Sequence, residues 1–168
     1  TGVNAVVTIN SNAVLGNVTI DAGDTLQISD NRTVTITGTA VINNGNFGVN
    51  SAGNGVDLRL NTSVVFSGTG TLSLSNFSNN RVLGNSSAFV LTNQAGHTIQ
   101  GAGQIGADSL QLLNRGTVDA NLGNALVIDT AGDMNAATAT LVNSGTLRAS
   151  AGGTLVILNT RVDNFEGV

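Results

Sequence analysis

Few side chains here can do chemistry, and they stand far apart. The 168 residues include ten acids, six basic residues and one histidine, with no cysteine. Glycan cleavage needs two facing carboxylates, one acting as acid and the other as base or nucleophile. The acids closest in sequence are Asp21 with Asp24 and Asp129 with Asp133. Both pairs lie in glycine-containing turns, where Asp is a common turn residue in its own right. A β-helical lyase also needs an Arg or Lys base beside its acids; there is no Lys, and no Arg adjoins either pair. A single histidine, His97, can neither build a zinc site nor complete a triad. Beside Gly96 it reads as a solvated turn residue. The sequence therefore assigns no catalytic residue and no cofactor.

One stretch has the look of a cation site. Residues 52–60, AGNGVDLRL, resemble a calcium-binding nonapeptide of the repeats-in-toxin kind, with Asp57 as the metal candidate. Ala52 replaces the first glycine, and Arg59 stands at the apolar position. That motif binds ions between tandem copies, so a single copy reads equally as a turn and a strand. Thr33, Thr35, Thr37 and Thr39 share one strand face, as in ice-binding solenoids, but the array does not recur at coil spacing. Five N-x-S/T sequons, at Asn17, Asn31, Asn61, Asn76 and Asn85, are about what so much Asn, Ser and Thr yields by chance.

Composition narrows the classes. The net charge is −4 and the arginines are scattered, so no basic stripe for nucleic acid is present. No apolar run approaches the ~18 residues of a membrane span. Hydrophobic residues make up 40% of the chain but aromatics only 3%, so the apolar content is Val, Ile, Leu and Ala, which suit a pleated surface. Short alternating runs recur throughout: Val18 and Ile20, Val34 and Ile36, Leu72 and Leu74, Leu126 and Ile128, Leu155 and Ile157. Gly, Asn, Asp or Ser bounds each run, the pattern of strands joined by turns. Residues 129–141 are Ala-rich and read as a longer loop with a helical turn.

The elements repeat. LLNRGTVDA at 112–120 recurs as LVNSGTLRA at 141–149, and ANLGNALVI at 120–128 recurs as ASAGGTLVI at 149–157. Anchoring asparagines fall at Asn43, Asn93, Asn114, Asn143 and Asn164. Their gaps of 50, 21, 29 and 21 fit coils of roughly 21–29 residues if the first gap spans two coils. The predicted fold is all-β, a right-handed parallel β-helix of about seven coils forming one domain over residues 1–168. Asparagine at one corner of every coil can hydrogen-bond its counterpart one coil away, building a ladder; the alternative is that Asn is simply a good turn residue.

The stretch from Leu91 to Val168 resembles the right-handed β-helical coils of bacterial exoproteins, namely autotransporter passengers and filamentous-haemagglutinin-like adhesins. The resemblance is firm over the C-terminal half and looser before it. It implies a secreted or surface-displayed rod, non-enzymatic, serving adhesion, matrix or filament formation, with a host-surface or glycan ligand. A carbohydrate-active β-helix, tailspike-like or lyase-like, is the alternative, and an ice-binding solenoid a further one. The strand-like 6–10 segment and the mid-coil phase of 164–168 lead to the expectation of a segment of a longer solenoid, or of protomers that associate head to tail.

Overall fold

A computed structural model describes residues 4–132, 138, 140–165 and 167. Of the expected loop with a helical turn at 129–141, residues 133–137 and 139, Asp133 among them, lie outside the described residues, and Leu141 already belongs to a strand. Alternation decides which face each strand buries. In Thr33–Ile36, Val34 and Ile36 are fully buried while Thr33 and Thr35 are half-buried, as period-two side-chain geometry requires.

Chain order runs β1 (Val6–Ile9), β2 (Ala13–Leu15), β3 (Val18–Ile20), β4 (Thr25–Ile28), β5 (Thr33–Ile36), β6 (Ala40–Asn43), β7 (Asn46–Val49), β8 (Val56–Leu60), β9 (Val64–Ser67), β10 (Thr71–Leu74) and β11 (Asn80–Gly84). It continues with β12 (Val90–Asn93), β13 (Thr98–Gly101), β14 (Gly103–Gly106), β15 (Gln111–Asn114), β16 (Thr117–Ala120), β17 (Leu126–Ile128), β18 (Leu141–Asn143), β19 (Thr146–Ala149), β20 (Leu155–Ile157) and β21 (Val162–Asn164). Every third strand joins the same sheet. The result is three parallel seven-stranded sheets, the first running β1-β4-β7-β10-β13-β16-β19, the second from β2 to β20 and the third from β3 to β21.

The fold is therefore a parallel β-solenoid, with about 6 turns where about seven were expected. The sheets count seven strands because both the first and the last layer are included. Coil steps range from 19 residues, between Val6 and Thr25, to 29, between Thr117 and Thr146, so the shortest coil is tighter than the expected range.

The core is the tube interior. Phe47, Phe66, Leu58, Leu72, Leu91, Ile99, Ile105 and Val118 have no solvent exposure, and the rings of Phe47 and Phe66 lie 6.3 Å apart. The repeats align in register: Leu112 pairs with Leu141, Ala120 with Ala149, Leu126 with Leu155 and Ile128 with Ile157. Leu126 and Ile128 are fully buried, whereas Ile157, in the last coil, is 41% exposed. The corner between β13 and β14 takes only Gly101, Ala102 and Gly103. Both glycines have positive φ (118° and 135°), and a Cβ on either would run into the carbonyl of Leu74 or of Asn80 in the coil beneath.

Candidate functional site

The third sheet ends each strand at a corner facing the core, and there the polar residues collect. Asn93, Asn114, Asn143 and Asn164 are direct register partners in successive coils. The Nδ2 of Asn93 donates to Asn114 Oδ1 (2.8 Å), Asn114 to Asn143 (2.7 Å) and Asn143 to Asn164 (2.6 Å). The first three are fully buried. Two of these amides also reach a carbonyl one coil on: Asn93 donates to the carbonyl of Thr117, and Asn114 to that of Thr146. Asn43 likewise donates to the carbonyl of Thr71, one coil on.

Asn43 does not meet Asn93 directly. The intervening coil places Phe66 opposite both Asn93 and Val41, so Asn43 sits two residues out of the column's strand register. The missing rung is supplied by His97. Its Nδ1 lies 2.7 Å from Asn93 Oδ1, and its Nε2 lies 3.1 Å from Asn43 Nδ2. His97 is fully buried, with its ring 5.6 Å from that of Phe66. The expectation of a solvated turn residue is thus corrected. The turn from Asn93 to Thr98 is two residues longer than that from Asn114 to Thr117, and the extra length folds the imidazole inward. Burial pulls the His97 pKa from 6.5 down to about 4.

Asp57, the calcium candidate, is buried on the outward side of the second sheet. Its Oδ1 accepts from Arg81 Nε at 2.7 Å and its Oδ2 from Arg59 at 2.9 Å. Two guanidiniums hold the carboxylate where a cation would have to bind. The glycine-rich loop before it is pinned by Asp30 of the preceding coil, whose carboxylate accepts from the Ala52 and Asn54 amides and from Asn54 Nδ2. These bonds, that of the Asn54 side chain first, hold Asp30 below its ordinary pKa. A shallow depression opens beside Arg81, lined also by Gly55, Ser78, Asn79 and Gln104. Among the described residues, no group of three or more acids or histidines is arranged to hold a metal.

Asp119 repeats the device on the first sheet. It is buried, paired with Arg148 at 2.8 Å, and accepts from Ser150 Oγ at 2.9 Å. Sequence reasoning missed it, although Asp119 and Arg148 occupy equivalent places in the two repeat copies. It also missed Asn80, a fully buried corner residue whose Oδ1 accepts from the Ser51 amide and whose Nδ2 donates to the carbonyls of Ser75 and Phe77.

Of the acid pairs closest in sequence, Asp21 and Asp24 share one turn, and Asp133 lies outside the described residues. The amide of Asp24 donates to the carbonyl of Asp21 within one turn, and Asp24 Oδ1 accepts from the Ala5 amide. Asp129 meets Asp108 of the previous coil. The Asp108 amide donates to the Asp129 carbonyl at 2.9 Å, and both line a groove with Gly132 and Asn159. Burial, and then the charge of Asp108, raise the Asp129 pKa.

Thr33 and Thr35 face outward but pair with Asp57 and Arg59 in the next coil, so that array ends there. A different column does recur: Thr25, Asn46, Thr71, Thr98, Thr117 and Thr146 are successive partners on the first sheet. The outward column beside it, which includes Gln27, Ser73, Gln100, Asp119 and Arg148, is uneven and charged. All five sequon asparagines are exposed. Asn17 accepts from the Thr39 amide, Asn76 from that of Asn124, and Asn85 donates to Asn61.

No family model matches the chain, and no curated protein or solved structure matches it either.

Proposed function

We propose that this chain is a non-enzymatic structural and adhesive rod, working outside the cell or on its surface. One observation carries the reading: the groups best suited to chemistry are spent on joining coil to coil. Asp57 and Asp119 are held by arginines of the same or the next coil, and His97 bridges two asparagines in the core. Buried charges and amides paired along the axis stiffen a fold whose coils cannot bury their own apolar faces. The resemblance of 91–168 to bacterial exoprotein coils agrees with that use.

The adhesive contact is placed at the depression beside Arg81. There, two guanidiniums share one carboxylate, which leaves a local excess of one positive charge. Arg81, Gln104, Asn79 and Ser78 offer hydrogen-bonding groups suited to an acidic glycan on a host surface. Filament growth would run through the outermost strands, where Val6 (67%) and Val162 (38%) are exposed, adding further coils or a second copy in parallel register.

A second reading, a glycan-cleaving β-helix, is favoured by the meeting of Asp108 and Asp129 in a groove. One experiment separates the two. The purified chain is offered acidic and neutral polysaccharides, and both retention and depolymerisation are measured. Salt-sensitive retention of acidic chains, lost in Arg81→Gln, without shortening of the polymer, is expected. Depolymerisation abolished by Asp108→Asn or Asp129→Asn would overturn the proposal.

A further inference from the structure

The buried column runs in one direction. Asn43 donates towards His97, His97 to Asn93, and the amides then donate in turn through Asn114 and Asn143 to Asn164, whose Nδ2 ends on the Gly167 carbonyl at 3.1 Å. An amide Nδ2 can only donate and an amide Oδ1 can only accept. The bond to Asn93 Oδ1 therefore requires a proton on His97 Nδ1, and the approach of Asn43 Nδ2 requires a bare Nε2. The neutral Nδ1–H tautomer is the form that fits.

We propose that His97 is an acid-sensitive latch, which joins the lower coils to the asparagine ladder above when neutral and releases them when its Nε2 takes up a proton. A proton there sets two donors, Nε2–H and the Asn43 amide, head to head at 3.1 Å in a fully buried site. Asn43 cannot turn its oxygen towards the ring without cost. Its Nδ2 is bonded to the Thr71 carbonyl at 2.9 Å, and its Oδ1 accepts from the Gly45 amide at 3.2 Å. A rotation of the amide would break both.

Among the described residues, nothing nearby would neutralise an imidazolium. The packed strands β6, β9, β10, β12 and β13 carry no acid or base. In the coil above, Arg115 is exposed, and Asp119 on β16 is outward and committed to Arg148 and Ser150. Phe66 offers only a ring edge or face at 5.6 Å. The lowered pKa of about 4 agrees with this geometry, with burial as its cause. A folded-state value below the unfolded one means that the unfolded chain binds the proton first. Stability is then intact above about pH 6.5 and is lost as pH falls towards 4.

The chain has one histidine, so its imidazole signals need no assignment by mutation. Nitrogen-15 spectra of the folded protein should show Nδ1 protonated and Nε2 bare at pH 7, with no titration before about pH 5. Urea unfolding at pH 7 and 4.5 should then be compared with His97→Gln, which cannot titrate. Acidification should raise the unfolding constant of the parent roughly fiftyfold more than that of the variant, a linkage estimate from the displaced pKa. A ring that titrates near 6.5 while the protein stays folded, an Nε2–H tautomer at neutral pH, or the same acid response in both proteins would overturn the latch. If His97→Gln does not fold, the spectra of the parent decide alone.

Discussion

The amide of Asn114 donates to that of Asn143 at 2.7 Å, and the two residues are direct partners in parallel register 29 residues apart. The bond joins the same place in two copies of one sequence repeat. Each asparagine in such a column supplies the acceptor for the rung below and the donor for the rung above. Removing one therefore leaves two neighbours short.

Asn114→Ala should strand the donor of Asn93 and the acceptor of Asn143, both fully buried, and the carbonyl of half-buried Thr146. The expected loss is about 2–4 kcal/mol by urea unfolding, since buried groups left unpaired cost their full desolvation. Asn164→Ala, at the exposed end of the column, should cost under about 1 kcal/mol. Equal losses at both positions would show that the asparagines act only as turn residues.

The glycine corners allow a test of how closely the coils stack. Gly101→Ala puts a methyl group into the Leu74 carbonyl at a φ of 118°, and should cost about 3 kcal/mol or more, or prevent folding. Gly16→Ala meets nothing within 4 Å and needs no positive φ, so it should be near neutral or slightly stabilising. Similar melting temperatures for the two variants would contradict the stacking at the β13–β14 corner.

Most of the fold was legible because one coil's physics is written more than once. Leu112, Asn114, Thr117 and Ala120 recur as Leu141, Asn143, Thr146 and Ala149, and the structure pairs each with its copy. The even spacing of apolar residues marked the inward faces wherever neighbouring coils cover both sides. It could not mark Ile157, which alternates correctly but lies in the last coil, with no further described coil beyond it. His97 was misread for a related reason. Turn composition suggests solvent, and only the three-dimensional gap left by Phe66 in the asparagine column makes room for an imidazole. Two clues were present, the longer turn between Asn93 and Thr98 and the 50-residue gap between Asn43 and Asn93. Asp57 stands out in the sequence only as a metal candidate, because its partner Arg81 lies 24 residues away and that pairing depends on coil length.

Asp57→Ala should leave Arg59 and Arg81 facing each other without the carboxylate that separates them. Both guanidiniums are more than a third exposed, so the loss should stay near 1–2 kcal/mol and should change with salt. Arg81→Met should cost less, because Arg59 remains to pair the buried acid. Unfolding measured at low and at about 1 M salt checks both. A loss for Arg81→Met exceeding that for Asp57→Ala would mean that Arg81 matters through its packing and not its charge.

Asp129 provides the clearest view of the glycan-cleaving alternative, because a working dyad depends on two carboxylates that feel each other strongly. Its pKa is raised above the ordinary 3.8, with burial the larger cause and Asp108 the smaller. The folded chain therefore holds this proton more tightly than the unfolded chain. The resulting stability is present below the unfolded pKa and is lost as pH rises through the folded one, the opposite of the response to His97. Carbon-13 titration of the Asp129 carboxyl in Asp108→Asn should show a partial fall that still ends above the ordinary value, since burial is unchanged by the substitution. A return all the way to the ordinary value would make Asp108 the main cause. The two acids would then be a tightly coupled pair in an open groove, and the enzymatic reading would gain support.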